Sequence, residues 1–178
     1  MASTKPSTAT SGTTPASRPG SRNDAIALLS KDHKEVKQLF RTFEKLAKAG
    51  APGEERKTIA TQICELLTIH ATIEEELFYP AMRDQLQAHE LLDEAEVEHA
   101  MVKELITQIQ AMSPDDDLYD AKVKVLGEYV AHHVQEEEAE MFPKAVKSKM
   151  ELGEIGAQLK ARKQELMGAS ESESDLRH

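Results

Sequence analysis

Four stretches of this chain carry apolar residues at every third or fourth position, and in each stretch a histidine falls on the apolar stripe. The first, about 24–48, has Ile26, Leu29, Val36, Phe40 and Phe43, with His33 among them. The second, about 54–78, reads Ile59, Ile63, Leu66, His70, Ile73/Glu74, Leu77. The third, about 90–112, reads Leu92, Ala95, His99, Val102, Ile106, Ile109. The fourth, about 114–141, admits two registers: Tyr119, Val123, Leu126, Val130, His133, Glu137, or Leu118, Val125, Tyr129, His132, Glu136. A period of 3–4 is that of an amphipathic helix, and such helices are stable when their stripes are buried against one another. Four of them joined by short links predict an all-α fold, an antiparallel up-down-up-down four-helix bundle.

Local signals place the ends. Asn23 can cap the first helix, and "AGAPG" after Lys48 stops it. "SPDDD" from Ser113 offers a cap serine, a proline at the first helical position and acids in the first turn, so the fourth helix is expected to start at Pro114. Pro80 and Pro143 should break or kink the second and fourth. The expected bundle spans 23–148. A short extra C-terminal helix over 149–168, with Leu152, Ile155, Leu159 and Leu166, is expected to pack outside the core. Residues 1–22, rich in Ser, Thr, Pro and Gly, and residues 169–178 lack the apolar content to order themselves and read as disordered tails.

The formal charge is −10 with no contiguous basic block, which argues against nucleic acid or an anionic membrane as partner. No apolar run approaches the ~18–20 residues needed to span a bilayer. The single cysteine, Cys64, cannot form an internal disulfide, and the N-terminus has no apolar leader. Both suit a cytoplasmic setting.

The two halves of the chain repeat one another. "DHKEVKQLF" at Asp32 aligns with "EHAMVKELI" at Glu98, and "HATIEEELFYP" at His70 with "HVQEEEAEMFP" at His133. His33 then equates with His99, His70 with His133, Glu74 with Glu137 and Pro80 with Pro143. The repeat selects His133 over His132 in the fourth helix. Residues four apart share a helix face, so His70 with Glu74, and His133 with Glu137, can each reach one ion, joined by His33 or His99 from a neighbouring helix. Four imidazoles and two carboxylates in one core are costly unless partnered. Two cations would partner them. Mixed imidazole and carboxylate ligation suits iron, manganese or zinc.

This layout, with each His-x3-Glu closing in an aromatic and a proline, resembles the hemerythrin-like HHE cation-binding family over about residues 24–145. The resemblance implies a non-haem centre of two iron ions with oxo or hydroxo bridges. It makes His33, His70, His99 and His133 terminal ligands, and Glu74 and Glu137 bridging carboxylates. The oxygen carriers of that family have a second histidine four residues on in the third helix, where this chain has Lys103, and their last carboxylate falls at the position of Glu138, which competes with Glu137. These departures move the expectation from reversible O2 carriage toward binding of O2, peroxide or NO, or iron sensing and buffering. The alternatives are a redox enzyme (peroxide decomposition or NO handling) and a helical scaffold without metal. Glu75, Glu76, Glu136, Glu138 and Glu140 are read as solvated or as partners for imidazole N–H groups, and Tyr79, Tyr119 and Tyr129 as ordinary bundle aromatics.

Overall fold

The computed structural model describes residues 24–86 and 89–175, with side chains described through residue 170. The segment expected as a disordered tail over 1–22, and the cap at Asn23, lie outside the described residues. All described regular structure is helical: α1 (Asp24–Lys48), α2 (Gly53–Ile73), α3 (Tyr79–Gln85), α4 (His89–Gln110), α5 (Tyr119–Glu136), α6 (Phe142–Lys147) and α7 (Leu152–Asp175), with one π-turn over Glu74–Phe78 and another over Glu137–Met141. α1, α2, α4 and α5 form the bundle, α1 packing on α2 and α5, and α4 on α5 and α2.

α1 ends where the apolar period ends. Gly50 adopts φ 64°, and the amides of Ala49 and Ala51 return to the carbonyls of Lys45 and Leu46. A side chain would be strained in that left-handed conformation.

The prolines do not end their helices. Proline lacks an N–H and crowds the carbonyl four residues back. Here a π-turn lies just before each: the Tyr79 amide donates to the Glu74 carbonyl and the Phe142 amide to that of Glu137, five residues back. The chain runs through both prolines into α3 and α6. The fourth helix starts at Tyr119, not Pro114. The Asp116 carboxylate accepts from the Ser113 amide at 2.9 Å, and residues 113–118 form turns instead. The C-terminal helix is neither short nor outside the core. It covers 24 residues to Asp175, past the boundary expected at 168, and packs on α1, α2 and the first π-turn with Leu152 and Leu159 buried. Gly156 permits this contact, since a Cβ there would stand 2.6 Å from the Ala25 backbone nitrogen.

Two apolar clusters fill the interior. One holds Leu29, Ile73, Phe78, Met82, Leu92, Met141 and Leu159. The other holds Val36, Phe43, Ile63, Val102, Ile106, Val123 and Leu126. Each bundle helix passes from one cluster to the other through a polar residue: Leu29–His33–Val36, Leu67–His70–Ile73, Ala95–His99–Val102 and Val130–His133–Met141. The buried polar residues Asp32, His33, His70, Glu74, His99, His133 and Glu137 thus form a layer between two apolar cores. Burying each large apolar side chain contributes about 1.5–3 kcal/mol, which offsets the cost of the polar layer.

Candidate metal centre

The six residues singled out by the repeat converge on this layer. Ligand atoms of His33, His70, Glu74 and Glu137 all lie within 4.8 Å of one another, as do those of Glu74, His99 and His133. Glu74 and Glu137 are fully buried. Glu74 faces two ways, Oε1 3.1 Å from His70 Nε2 and Oε2 3.5 Å from His99 Nε2. Glu137 Oε2 lies 3.1 Å from His33 Nε2 and 3.6 Å from His133 Nε2.

The outward nitrogen of every imidazole meets a carboxylate. His33 Nδ1 is 3.0 Å from Glu138, His70 Nδ1 3.4 Å from Asp32, His99 Nδ1 2.9 Å from Glu75 and His133 Nδ1 2.7 Å from Glu98. An ionised carboxylate can only accept, so the proton belongs on Nδ1 and the Nε2 lone pair points inward. Metal-binding histidines need that arrangement. It explains why His33 Nε2, His70 Nε2, Glu74 Oε1 and Glu137 Oε2 have no hydrogen-bond partner despite their proximity. With neutral rings so oriented, lone pair would face lone pair, which a proton or a cation between them relieves. Burial opposes a charged His70, but the Glu74 carboxylate and the bond to Asp32 outweigh it and raise its pKa. Burial likewise disfavours ionised Glu74, yet the neighbouring imidazoles, His70 first, hold its pKa below the usual carboxylate range. The centre therefore demands positive charge, and the donor set fits a cation of the imidazole–carboxylate class.

The residues kept as alternatives fall elsewhere. His132 is 63% exposed and pairs with Glu136 at 3.3 Å. Glu138 lies outside the inner layer, on His33. Lys103 does not reach the centre; its Nζ grips both oxygens of Glu75 at 2.7 and 2.6 Å. Of the other flagged glutamates, Glu76 meets Arg162 and Glu140 meets Lys144.

Tyr79 is the residue that periodicity missed. Its hydroxyl donates to Glu137 Oε1 at 2.9 Å and lies 3.4 Å from Glu74 Oε2, 3.3 Å from His99 Nε2 and 3.4 Å from His133 Nε2. At 3.6 residues per turn, residues five apart stand on different faces. The wide turn over Glu74–Phe78 removes that offset, so Glu74 and Tyr79 both point inward. Burial first, then the two carboxylates, push the phenol pKa well up and keep it protonated. Asp32 and Glu98 were also missed. Their signal was the acid preceding each upstream histidine in the two aligned segments.

Comparison with known proteins agrees with this geometry. The hemerythrin HHE cation-binding domain family matches residues 24–145. A crystal structure of a hemerythrin HHE cation-binding domain-containing protein from Mycobacterium kansasii superposes with a TM-score of 0.68 at 28% identity, covering 82% of this chain and 88% of that one. A DNA nickase from Nostoc is 33% identical over 114 residues, 62% of this chain but only 30% of that protein. A match over most of the chain, on the four histidine-bearing helices of a buried imidazole–carboxylate layer, settles the family: the chain belongs to the hemerythrin HHE cation-binding domain proteins.

Proposed function

We propose that this is a non-haem di-iron protein that binds a small oxidant (O2, peroxide or NO), or buffers and senses iron, in the cytoplasm. The observation that carries the reading is the set of four buried ligand atoms, from His33, His70, Glu74 and Glu137, that converge without hydrogen-bond partners. His33 and His70 would hold one ion, and His99 and His133 the second. Glu74, with one oxygen toward each pair, and Glu137 would bridge them. Bound iron would supply Lewis acidity and one-electron chemistry at an open coordination position.

The chain's own groups do the rest. The four outer carboxylates hold the Nδ1 protons, which orients the rings and raises the basicity of Nε2. Tyr79 stands on the side of the second ion, where Lys103 provides no imidazole, and holds a proton at Oη beside Glu137 Oε1. A buried hydroxyl that stays protonated and donates a hydrogen bond beside the centre, able to steady an oxygen-bearing ligand, favours one second reading: turnover of peroxide or NO at the same centre. The partner in either reading is a small molecule, not nucleic acid or membrane. The nickase name belongs to a protein of which this chain spans 30%.

The test is elemental analysis of the purified native protein, with an optical spectrum before and after peroxide is added to the reduced form. Two irons per chain with near-ultraviolet bridge bands are expected. A peroxide trace that decays with repeated additions marks turnover, and a stable one marks binding. Absence of metal after anaerobic iron loading refutes the reading.

A further inference from the structure

A groove of about 660 Å3 runs between α1 and α5 and ends against His33. That volume lies in the range of small-molecule sites. Its walls are apolar: Val36 and Phe40 from α1, and Val123, Gly127, Val130 and Ala131 from α5. A Cβ on Gly127 would stand 3.0 Å from Phe40 Cδ1, so the bare backbone there lets the Phe40 ring lie against α5. At 1.5 Å per residue, the lining from Asp120 to Val134 is about 21 Å long. The groove is a slot, not a round cavity.

Its charges are not balanced. Three carboxylates line it, and each already has a cation: Glu44 with Lys48 at 3.0 Å, Asp120 with Arg56, and Glu128 with Lys124 at 3.9 Å. Lys37 and Arg41 also line it, and neither makes a hydrogen bond or ion pair with any described residue. They stand one turn apart, on the turns of α1 that follow His33. Two uncompensated cations beside a long apolar slot, in a chain of net charge −10, select an anionic head on an apolar chain.

We propose that the α1–α5 groove binds a free long-chain carboxylate, its head on Lys37 and Arg41 and its alkyl chain along Phe40, Val123 and Gly127. The site goes beyond the iron reading and does not depend on it. Dodecanoate titrated into the full-length chain as purified, by calorimetry, is the test, with 1-dodecanol as the uncharged control. One equivalent of dodecanoate is expected to bind, with dodecanol at least tenfold weaker. The double variant Lys37→Gln/Arg41→Gln should weaken dodecanoate at least tenfold. Ala131→Phe, at an exposed wall position, should abolish binding by filling the slot. No binding, or binding that is equal for the alcohol or unchanged in Ala131→Phe, overturns the proposal. So does a parent dimer that Ala131→Phe converts to monomer, because the groove would then be a self-association face. The readout is ligand uptake, so failure here leaves the iron reading untouched.

Discussion

Glu98 and Glu138 occupy different repeat positions yet do the same thing, each accepting from the Nδ1 of one inner histidine, and replacing them separates what the carboxylates contribute. Glu98 lies 2.7 Å from His133 Nδ1 and is 18% exposed; Glu138 lies 3.0 Å from His33 Nδ1 and is 46% exposed. A charge-assisted hydrogen bond shielded from water contributes about 1.5–3 kcal/mol. Loss of such a partner behind a metal-bound histidine typically weakens the metal by about 10–100-fold. Glu98→Gln is expected in that range, on the ion held by His133. Water can replace the partly exposed Glu138, so Glu138→Gln should cost no more than about 1 kcal/mol, roughly fivefold. The assay is competition for iron against a chromogenic chelator at fixed pH and salt, with circular dichroism to confirm helix content. Equal weakening in both variants, or none in either, would refute the argument that burial of the outer carboxylate sets its worth.

Tyr79→Phe removes the donor on Glu137 Oε1. It should cost the metal-free protein about 1.5–3 kcal/mol in denaturant unfolding and shift the optical bands of the iron-loaded form; an unchanged spectrum would place the phenol outside the centre. Gly156→Ala should lower stability by about 1–3 kcal/mol in thermal unfolding, because its methyl meets the α1 backbone; a rise in Tm would mean that α7 does not dock as described. Burial, with Glu65 adding to it, pushes the Cys64 thiol up to about 11. At pH 8 it therefore stays protonated, and Ellman's reagent should react slowly with native protein and fully after denaturation. Rapid native labelling would show the α2 face to be open.

The bundle was legible because burial imposes a period. Leu29, Ile63, Ile106 and Leu126 sit on their stripes and are buried. The choice of His133 over His132 came from the repeat, and the structure buries the one and exposes the other. Tyr79 was hidden for a geometric reason: the stripe count assumes 3.6 residues per turn, and the π-turn over Glu74–Phe78 breaks that count at the residue that matters. The same turn carries the helix through Pro80, which a rule about regular helices takes as a stop. Ser113–Pro114 misled because it caps a turn and not the helix itself: the Ser113 amide donates to Asp116 and the Asp115 amide to Ser113 Oγ, and the regular helix begins only at Tyr119. The groove cations were missed because Lys37 and Arg41 are separated in sequence by uncharged residues and gather only on a helix face.

The departures from the repeat carry as much information as the repeat. Its two halves supply equivalent histidines, inner glutamates and outer acids, but Tyr79 in the first half aligns with Phe142 in the second. The phenol lies against His99 and His133, whereas the Phe142 ring stacks on His33 at 5.6 Å and 3°. One side of the centre therefore has a polar group and a proton at hand. The other has an apolar wall and four ligand atoms with no partner. Backing differs too: Lys163 from α7 neutralises Asp32 at 2.5 Å behind His70, and Lys103 does the same for Glu75 behind His99, while Glu138 behind His33 pairs with no lysine among the described residues. Two ions held here would not be equivalent. Of the two pairs, His33 and His70 is the one with an apolar wall and no phenol beside it. It is also the position at which the apolar groove ends.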